Sequence, residues 1–347
     1  MAKYTISFGE EPSSLITRSL QMDEIYQAFL DSEPQCRVFM LTGVRGSGKT
    51  VCLSQLSSYF SKQSDWLAVD LNPQRNLLMT LCSSLHTKMK SSSLLEDLKL
   101  NVSLGPVAAS LNPNAAPIDI ADQIELLLDR LKRQNKSVLF TIDEVSNTPS
   151  MQEFAAQFQI WARKKYNVFL VMAGLYENVD DLSNDDNLTF LNRAPKIYLQ
   201  PLNRALIQEN YEKNLGVSAQ TARSMAEMTK GYPYAFQALG YVCERHPGAE
   251  LSEIIPMFDA LLQEGVYEKM WSELSDLDRK VVKAMADISS TKVKEIREQA
   301  SLNSSLFSTP RKRLLRKGIL VSPSYGHLAF TLPRFAEYIQ WETDEDK

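Results

Sequence analysis

Gly43-Val44-Arg45-Gly46-Ser47-Gly48-Lys49-Thr50 matches the spacing Gly-x-x-x-x-Gly-Lys-Ser/Thr. Each position has a chemical reason. The glycines let the backbone curl so that successive N–H groups point inward at an anion. Lys49 carries positive charge to the β- and γ-phosphates of a nucleotide, and the Thr50 hydroxyl is a magnesium ligand. A helix read from about Thr50 to Lys62 turns its positive N-terminal end on the same anion, and Val51 stands in its first turn. The run Val38-Phe39-Met40-Leu41 ahead of the loop reads as a buried strand. Strand, glycine-rich turn and helix together predict a phosphate-binding loop from Gly43 to Thr50, with Val51 completing the nucleotide-binding set.

The second chemical signal lies downstream. Val138-Leu139-Phe140-Thr141-Ile142 is an apolar strand that ends in Asp143-Glu144. If this strand lies beside the one feeding the loop, Asp143 falls near the magnesium and Glu144 polarises a water for attack on the γ-phosphate. Two alternatives lack their residues. No Asn/Thr-Lys-x-Asp tetrapeptide is present to read guanine, and no arginine-rich lid of a small-molecule kinase follows the helices.

Outward from these motifs, strand-like and helix-like segments alternate through the first half of the chain. Trp66–Leu71, Ser137–Ile142, Asn167–Ala173 and Lys196–Leu199 read as further strands, which predicts a parallel α/β sheet. Alternating Leu100, Val102 and Leu104, then Val107, Ala109 and Leu111, predict a hairpin insertion at about 99–112. An amphipathic helix follows from about Ile118 to Lys132. From Asn203 to about Trp271 the pattern is wholly helical. The expected domains are therefore 1–202 (α/β), 203–272 (all-α lid) and 273–347.

Composition adds bounds. The chain has 347 residues and a net charge of −4, so no overall field draws it onto nucleic acid or an acidic membrane. Cys36, Cys52, Cys82 and Cys243 are widely spaced, as reduced core thiols are. No apolar run approaches the roughly 18 residues of a membrane span, and the first residues lack a signal-peptide core. A cytoplasmic protein is expected.

With both motifs placed, the chain resembles AAA+-related ATPases of the archaeal-ATPase and STAND group, close to the origin-recognition ATPases. Phe8-Gly9 and Arg18 resemble the N-terminal turn that borders the adenine. Val171-Met172-Ala173-Gly174-Leu175 resembles the fourth strand, though it ends in Ala-Gly where relatives place Ser, Thr or Asn. Phe190-Leu191-Asn192-Arg193-Ala194 resembles the segment of the arginine finger, which implies Arg193 acting in trans within a homo-oligomer. Lys230-Gly231-Tyr232-Pro233-Tyr234 resembles the Gly-x-Pro turn of the lid, whose proline packs near the base; Tyr234 stands where relatives place a sensor arginine. The resemblance implies ATP and ADP as ligands with Mg2+, and the two departures imply slow turnover.

The last segment shows helix-like stretches, then short apolar strands at Ile319–Val321 and His327–Leu332. Thr309-Pro310 is expected to open a basic helix, because Pro suits a first helical position. Lys312, Arg313 and Arg316 are expected to project from it. The predicted unit is a winged helix whose basic helix meets DNA phosphates, or packs on a protein partner or on its own nucleotide domain. The expected function is a nucleotide-driven switch with slow ATPase activity. A DNA-binding ATPase and a non-hydrolysing interaction scaffold stand as alternatives.

Overall fold

The computed structural model describes residues 3–7, 13–91, 119–288 and 290–345. The hairpin expected at 99–112 and the Phe8-Gly9 pair lie outside the described residues. The chain begins with α1 (Ser19–Leu30), β1 (Val38–Thr42), α2 (Lys49–Ser61), β2 (Trp66–Leu71), α3 (Leu77–Ser91) and α4 (Ile120–Arg133). It continues through β3 (Ser137–Ile142), α5 (Pro149–Arg163), β4 (Val168–Gly174), α6 (Tyr176–Ser183), a 3-10 turn (Thr189–Arg193) and β5 (Lys196–Tyr198). All five strands pair in parallel, in the order β2-β3-β4-β1-β5.

The residues explain the layering. β1 and β4 are buried at every position, as a parallel strand covered on both faces requires. Alternate side chains then serve different cores. Phe39, Leu41, Phe169 and Val171 pack against Ile25, Phe29, Leu56 and Phe60 of α1 and α2. Met40, Leu170, Met172 and Phe140 face the opposite way, onto Leu81, Ile124, Leu128, Phe154 and Phe158 of α3, α4 and α5. Helix starts carry the expected caps: the Asp119 side chain accepts from Ala121 N, and Thr148 accepts from Met151 N ahead of Pro149.

One expectation about the sheet is corrected. β3 does not lie beside β1, because β4 runs between them. The acidic end of β3 is therefore one strand further from the loop than a simple pairing would put it. β4 ends in Ala173-Gly174, and a Cβ on Gly174 would press on Val145 and Val179 at 3.0 and 3.1 Å, so glycine there permits close packing at the strand's tip.

The second half is built on a different core. α7 (Arg204–Leu215), α8 (Ala219–Met228), α9 (Pro233–Arg245) and α10 (Leu251–Leu262) are followed by a π-helical turn (Gln263–Tyr267) and α11 (Glu268–Ser272). Then come α12 (Asp276–Asp287), α13 (Val293–Gln299), α14 (Ser304–Arg316), the antiparallel pair β6 (Leu320–Val321) and β7 (Ala329–Phe330), and α15 (Phe335–Glu345). One apolar cluster runs through all of this, from Ile207 and Phe236 to Val281, Leu314 and Phe335. Tyr4 joins it: its ring lies where a Cβ on Gly240 would sit 2.4 Å away. The N-terminal segment is thus stitched to the lid, not to the sheet that follows it in sequence.

A second correction concerns α14. The helix opens at Ser304, where the Asn303 side chain accepts from Leu306 N, and Pro310 sits buried in its interior. Asn is as good a cap as Thr and stands a turn and a half earlier. No helix among the described residues is long and apolar enough to cross a membrane.

Candidate functional site

The loop after β1 is shaped by two left-handed glycines, Gly46 at φ 69° and Gly48 at φ 88°. Lys49 opens α2, and its Nζ donates to the Gly43 and Val44 carbonyls at 2.9 and 2.8 Å. Burial pushes the Lys49 ammonium down from 10.5 to about 8; Asp143 and then Glu144 oppose that shift, and Arg45 adds to it. A buried cation held by neutral carbonyls fits an anionic ligand, which would restore its charge. Ser47 Oγ, buried against Gly43, has no hydrogen-bond partner among the described residues. The left-handed loop and the buried Lys49 suit a phosphate chain.

At the acidic end, Thr50 Oγ1 donates to Asp143 Oδ2 at 2.5 Å, across the tip of β4. The other Asp143 oxygen accepts from Glu144 N at 2.9 Å, which fixes the carboxylate plane. Glu144 itself is exposed and holds φ 53°, a strained value for a residue with a Cβ. Strain of this kind persists where surrounding structure imposes it, and it concentrates at functional sites. Among the described residues no group of three or more His, Cys, Asp or Glu side chains could hold a metal. A hydroxyl beside one carboxylate does fit magnesium, which binds proteins through few ligands and takes the rest from phosphate and water.

The opposite wall comes from the lid. Tyr232 Oη donates to the Arg45 carbonyl at 2.6 Å, and Tyr234 N donates to the Gly46 carbonyl at 3.1 Å. Burial raises the Tyr232 hydroxyl, so it stays a donor. Pro233, the first residue of α9, lies against Gly48. Between sheet and lid is a cleft of about 560 Å³ that reaches Lys49, Thr50, Asp143 and Glu144 at one end. Ile6, Ile16, Pro233, Phe236 and Val266 line it at the other, an apolar end suited to a base. Gln237 organises that end: its Oε1 accepts from Thr5 N at 3.2 Å, and its Nε2 donates to the Ser14 carbonyl at 2.9 Å. Arg18, which also lines the cleft, braces the loop by donating to the Ser47 carbonyl at 3.0 Å and to the Gln200 carbonyl.

Most of the expected nucleotide residues converge on this one cleft: Arg45, Gly46, Gly48, Lys49, Thr50, Val51, Arg18, Pro233, Asp143 and Glu144 all line it. Arg193 does not. Exposed itself, it ends the 3-10 turn before β5 and is not among the residues lining the cleft. Three residues were missed. Tyr232 sits inside the lid turn that the sequence singled out, but nothing local says that its hydroxyl reaches the loop. Gln237 stands one helical turn beyond Pro233. Asn178, one turn past Gly174, also lines the cleft, and only the folded chain puts it there.

The basic C-terminal residues are corrected as well. Arg313 and Arg316 do not project freely. Arg313 Nε donates to Asp278, whose side chain is fully buried, at 2.7 Å, and its Nη2 donates to Ser275 Oγ at 2.6 Å. Arg316 pairs with Asp180 and Asp181 of α6 at 3.4 and 3.7 Å, and the neighbouring Lys317 with Glu177 at 2.8 Å. Lys312 alone of the three is exposed with no ion pair among the described residues. Arg313 turns in to the buried carboxylate in the first turn of α12, whereas Arg316 stays exposed and reaches the surface carboxylates of α6.

Residues 14–165, less than half of the chain, match the AAA ATPase domain family. Residues 264–339 match a domain of unknown function (DUF8462). No curated protein matches the chain. A Walker-type ATPase of Pyrococcus abyssi shares the fold, with a TM-score of 0.68 at 13% identity over 94% of this chain and 96% of that one. The ORC2 protein of Aeropyrum pernix, solved as ADPNP-ADP complexes, aligns with a TM-score of 0.63 at 13% identity over 98% of each chain. The chain therefore has a P-loop ATPase fold along most of its length.

Proposed function

We propose that this chain is a slow, magnesium-dependent ATPase that works as a nucleotide-driven conformational switch. The observation that carries it is the 2.5 Å Thr50–Asp143 hydrogen bond. It lies beside buried Lys49 on the floor of a cleft whose roof is the lid. Loop N–H groups and Lys49 hold the phosphates, and Thr50 and Asp143 would hold the magnesium, which when bound neutralises charge on the phosphate oxygens. Glu144 takes the proton of the attacking water as its oxygen bonds to the terminal phosphorus and the bond to the departing ADP oxygen breaks. Tyr232 and Tyr234 tie the lid to the loop, so lid position reports what the loop holds. Slow turnover is favoured by the bare Ala173-Gly174 end of β4 and by an uncharged Tyr234 in the lid.

The C-terminal segment fits a winged helix: α12, α13 and α14 followed by the β6–β7 pair. Its ion pairs to α6 favour a role as the moving part of the switch, docked on its own ATPase domain. DNA contact through α14 is the weaker reading, since Arg313 and Arg316, two of its four cations, are engaged by carboxylates. The test is Lys49→Ala, with ATP affinity read by calorimetry and the fold by circular dichroism. Affinity should fall at least tenfold in a folded protein, because the loss is at least one charge-assisted contact. Unchanged affinity refutes the assignment.

A further inference from the structure

Arg45 belongs to the phosphate loop, yet it lines two clefts. One is the nucleotide cleft shared with Lys49 and Thr50. The other is a narrow seam where Val44, Glu177, Met270, Glu273 and Lys317 meet. In the seam, Arg45 Nη2 donates to Glu273 Oε1 at 2.8 Å. Glu273 caps α11 and stands two residues before Ser275, the cap of α12, so it marks the joint between lid and C-terminal segment.

The pair is built to exchange partners. About a third of each side chain is exposed (33% and 31%), so water screens the attraction and holds it weakly. Glu273 keeps a second cation, Lys269 at 3.4 Å, and is not stranded when Arg45 leaves. Arg45 Nε is buried with no hydrogen-bond partner among the described residues, a donor on a fork whose geometry matches phosphate oxygens. The Arg45 main chain, by contrast, is clamped: its carbonyl accepts from Tyr232 Oη, and the next residue's carbonyl accepts from Tyr234 N. Only the side chain is free to move.

We propose that Arg45 distinguishes a nucleoside triphosphate from a diphosphate by exchanging Glu273 for the terminal phosphate, which unfastens the C-terminal segment from the loop. The inference rests on the nucleotide reading above. A terminal phosphate carries more charge than Glu273 and accepts two parallel N–H groups, so it wins the guanidinium when present. With a diphosphate the arginine returns to Glu273. Lys317–Glu177 and Arg316–Asp180 then remain as the pivot on α6.

The test uses the full chain with magnesium and two probes, ADP and a non-hydrolysable ATP analogue. Calorimetry gives the ratio of the two affinities for wild type, Arg45→Gln and Glu273→Gln. Arg45→Gln should lower the preference for the triphosphate by about tenfold, the loss of one hydrogen bond to a charged group. Glu273→Gln, outside the nucleotide cleft, should raise it, because the competitor is weakened. Hydrogen exchange around 273–279 should be faster with the analogue than with ADP in wild type, and indifferent to nucleotide in Arg45→Gln. If wild type binds neither probe, the nucleotide reading and this inference both fall. If wild type binds both but neither variant moves the ratio, only the role of Arg45 falls, and the same holds if exchange at the joint ignores the nucleotide.

Discussion

Arg313→Ala separates a structural arginine from a DNA-binding one. Asp278 is wholly inaccessible to solvent, and Arg313 supplies its charge balance through bonds of 2.9 and 2.7 Å. Removing one partner of a buried pair costs roughly 3–5 kcal/mol, because the other charge is left in a low-dielectric site. Two features reduce that figure here. Arg313 is 37% exposed, so water enters part of its place. Ser275 N and Oγ still donate to the Asp278 carboxylate, at 3.2 and 2.9 Å. A loss of about 2 kcal/mol is expected. Hydrogen exchange of α12 amides reads it locally: opening made easier by that amount accelerates exchange about thirtyfold. In the Arg313→Ala/Asp278→Ala cycle the coupling should exceed about 1 kcal/mol. Lys312→Ala, at an exposed position, should stay within about 0.5 kcal/mol. Exchange within threefold of wild type in Arg313→Ala would refute the packed role. If that variant also lost duplex binding and its salt dependence, Arg313 would be a phosphate contact after all.

Glu144→Gln should still bind ATP while steady-state hydrolysis drops by about 10²-fold or more, the usual contribution of a general base; equal rates would remove Glu144 from that role. Lys49 gives a pH dependence. Its folded value of about 8 lies below its ordinary 10.5, so the unfolded chain binds more protons between those values and stability without nucleotide should rise with pH across that window. Phosphate favours the charged ammonium, so ATP affinity should weaken above about pH 8 and binding there should take up a proton, measurable as buffer-dependent heat. Gly46→Ala places a Cβ 2.2 Å from Tyr232 Oη at φ 69°. It should cost about 1–3 kcal/mol on unfolding and weaken nucleotide binding together, since loop and lid clamp are disturbed at once.

The phosphate loop, the acidic strand end and the alternation of strands and helices were legible because each is local. A loop that cradles phosphate needs its glycines and lysine at fixed spacing, and strands buried on both faces read as unbroken apolar runs. Local signals do not report partners far along the chain. Nothing around Val138–Glu144 tells that β4 separates this strand from β1; that follows from how the sheet is wound. Asn303 and Thr309 are both competent caps, and the choice between them was made by which residues the helix buries: Phe307, Pro310 and Leu314 face the core. The basic stretch around Lys312–Lys317 looked solvent-directed because every carboxylate it meets, on α6 and α12, is at least 35 residues away. Ion pairs of that separation are set by tertiary packing alone. The chemistry of the nucleotide end was thus decided by the sequence. The coupling of that end to the lid and C-terminal segment, through Tyr232, Arg45–Glu273 and Lys317–Glu177, was decided only when distant elements came within a few ångströms of each other.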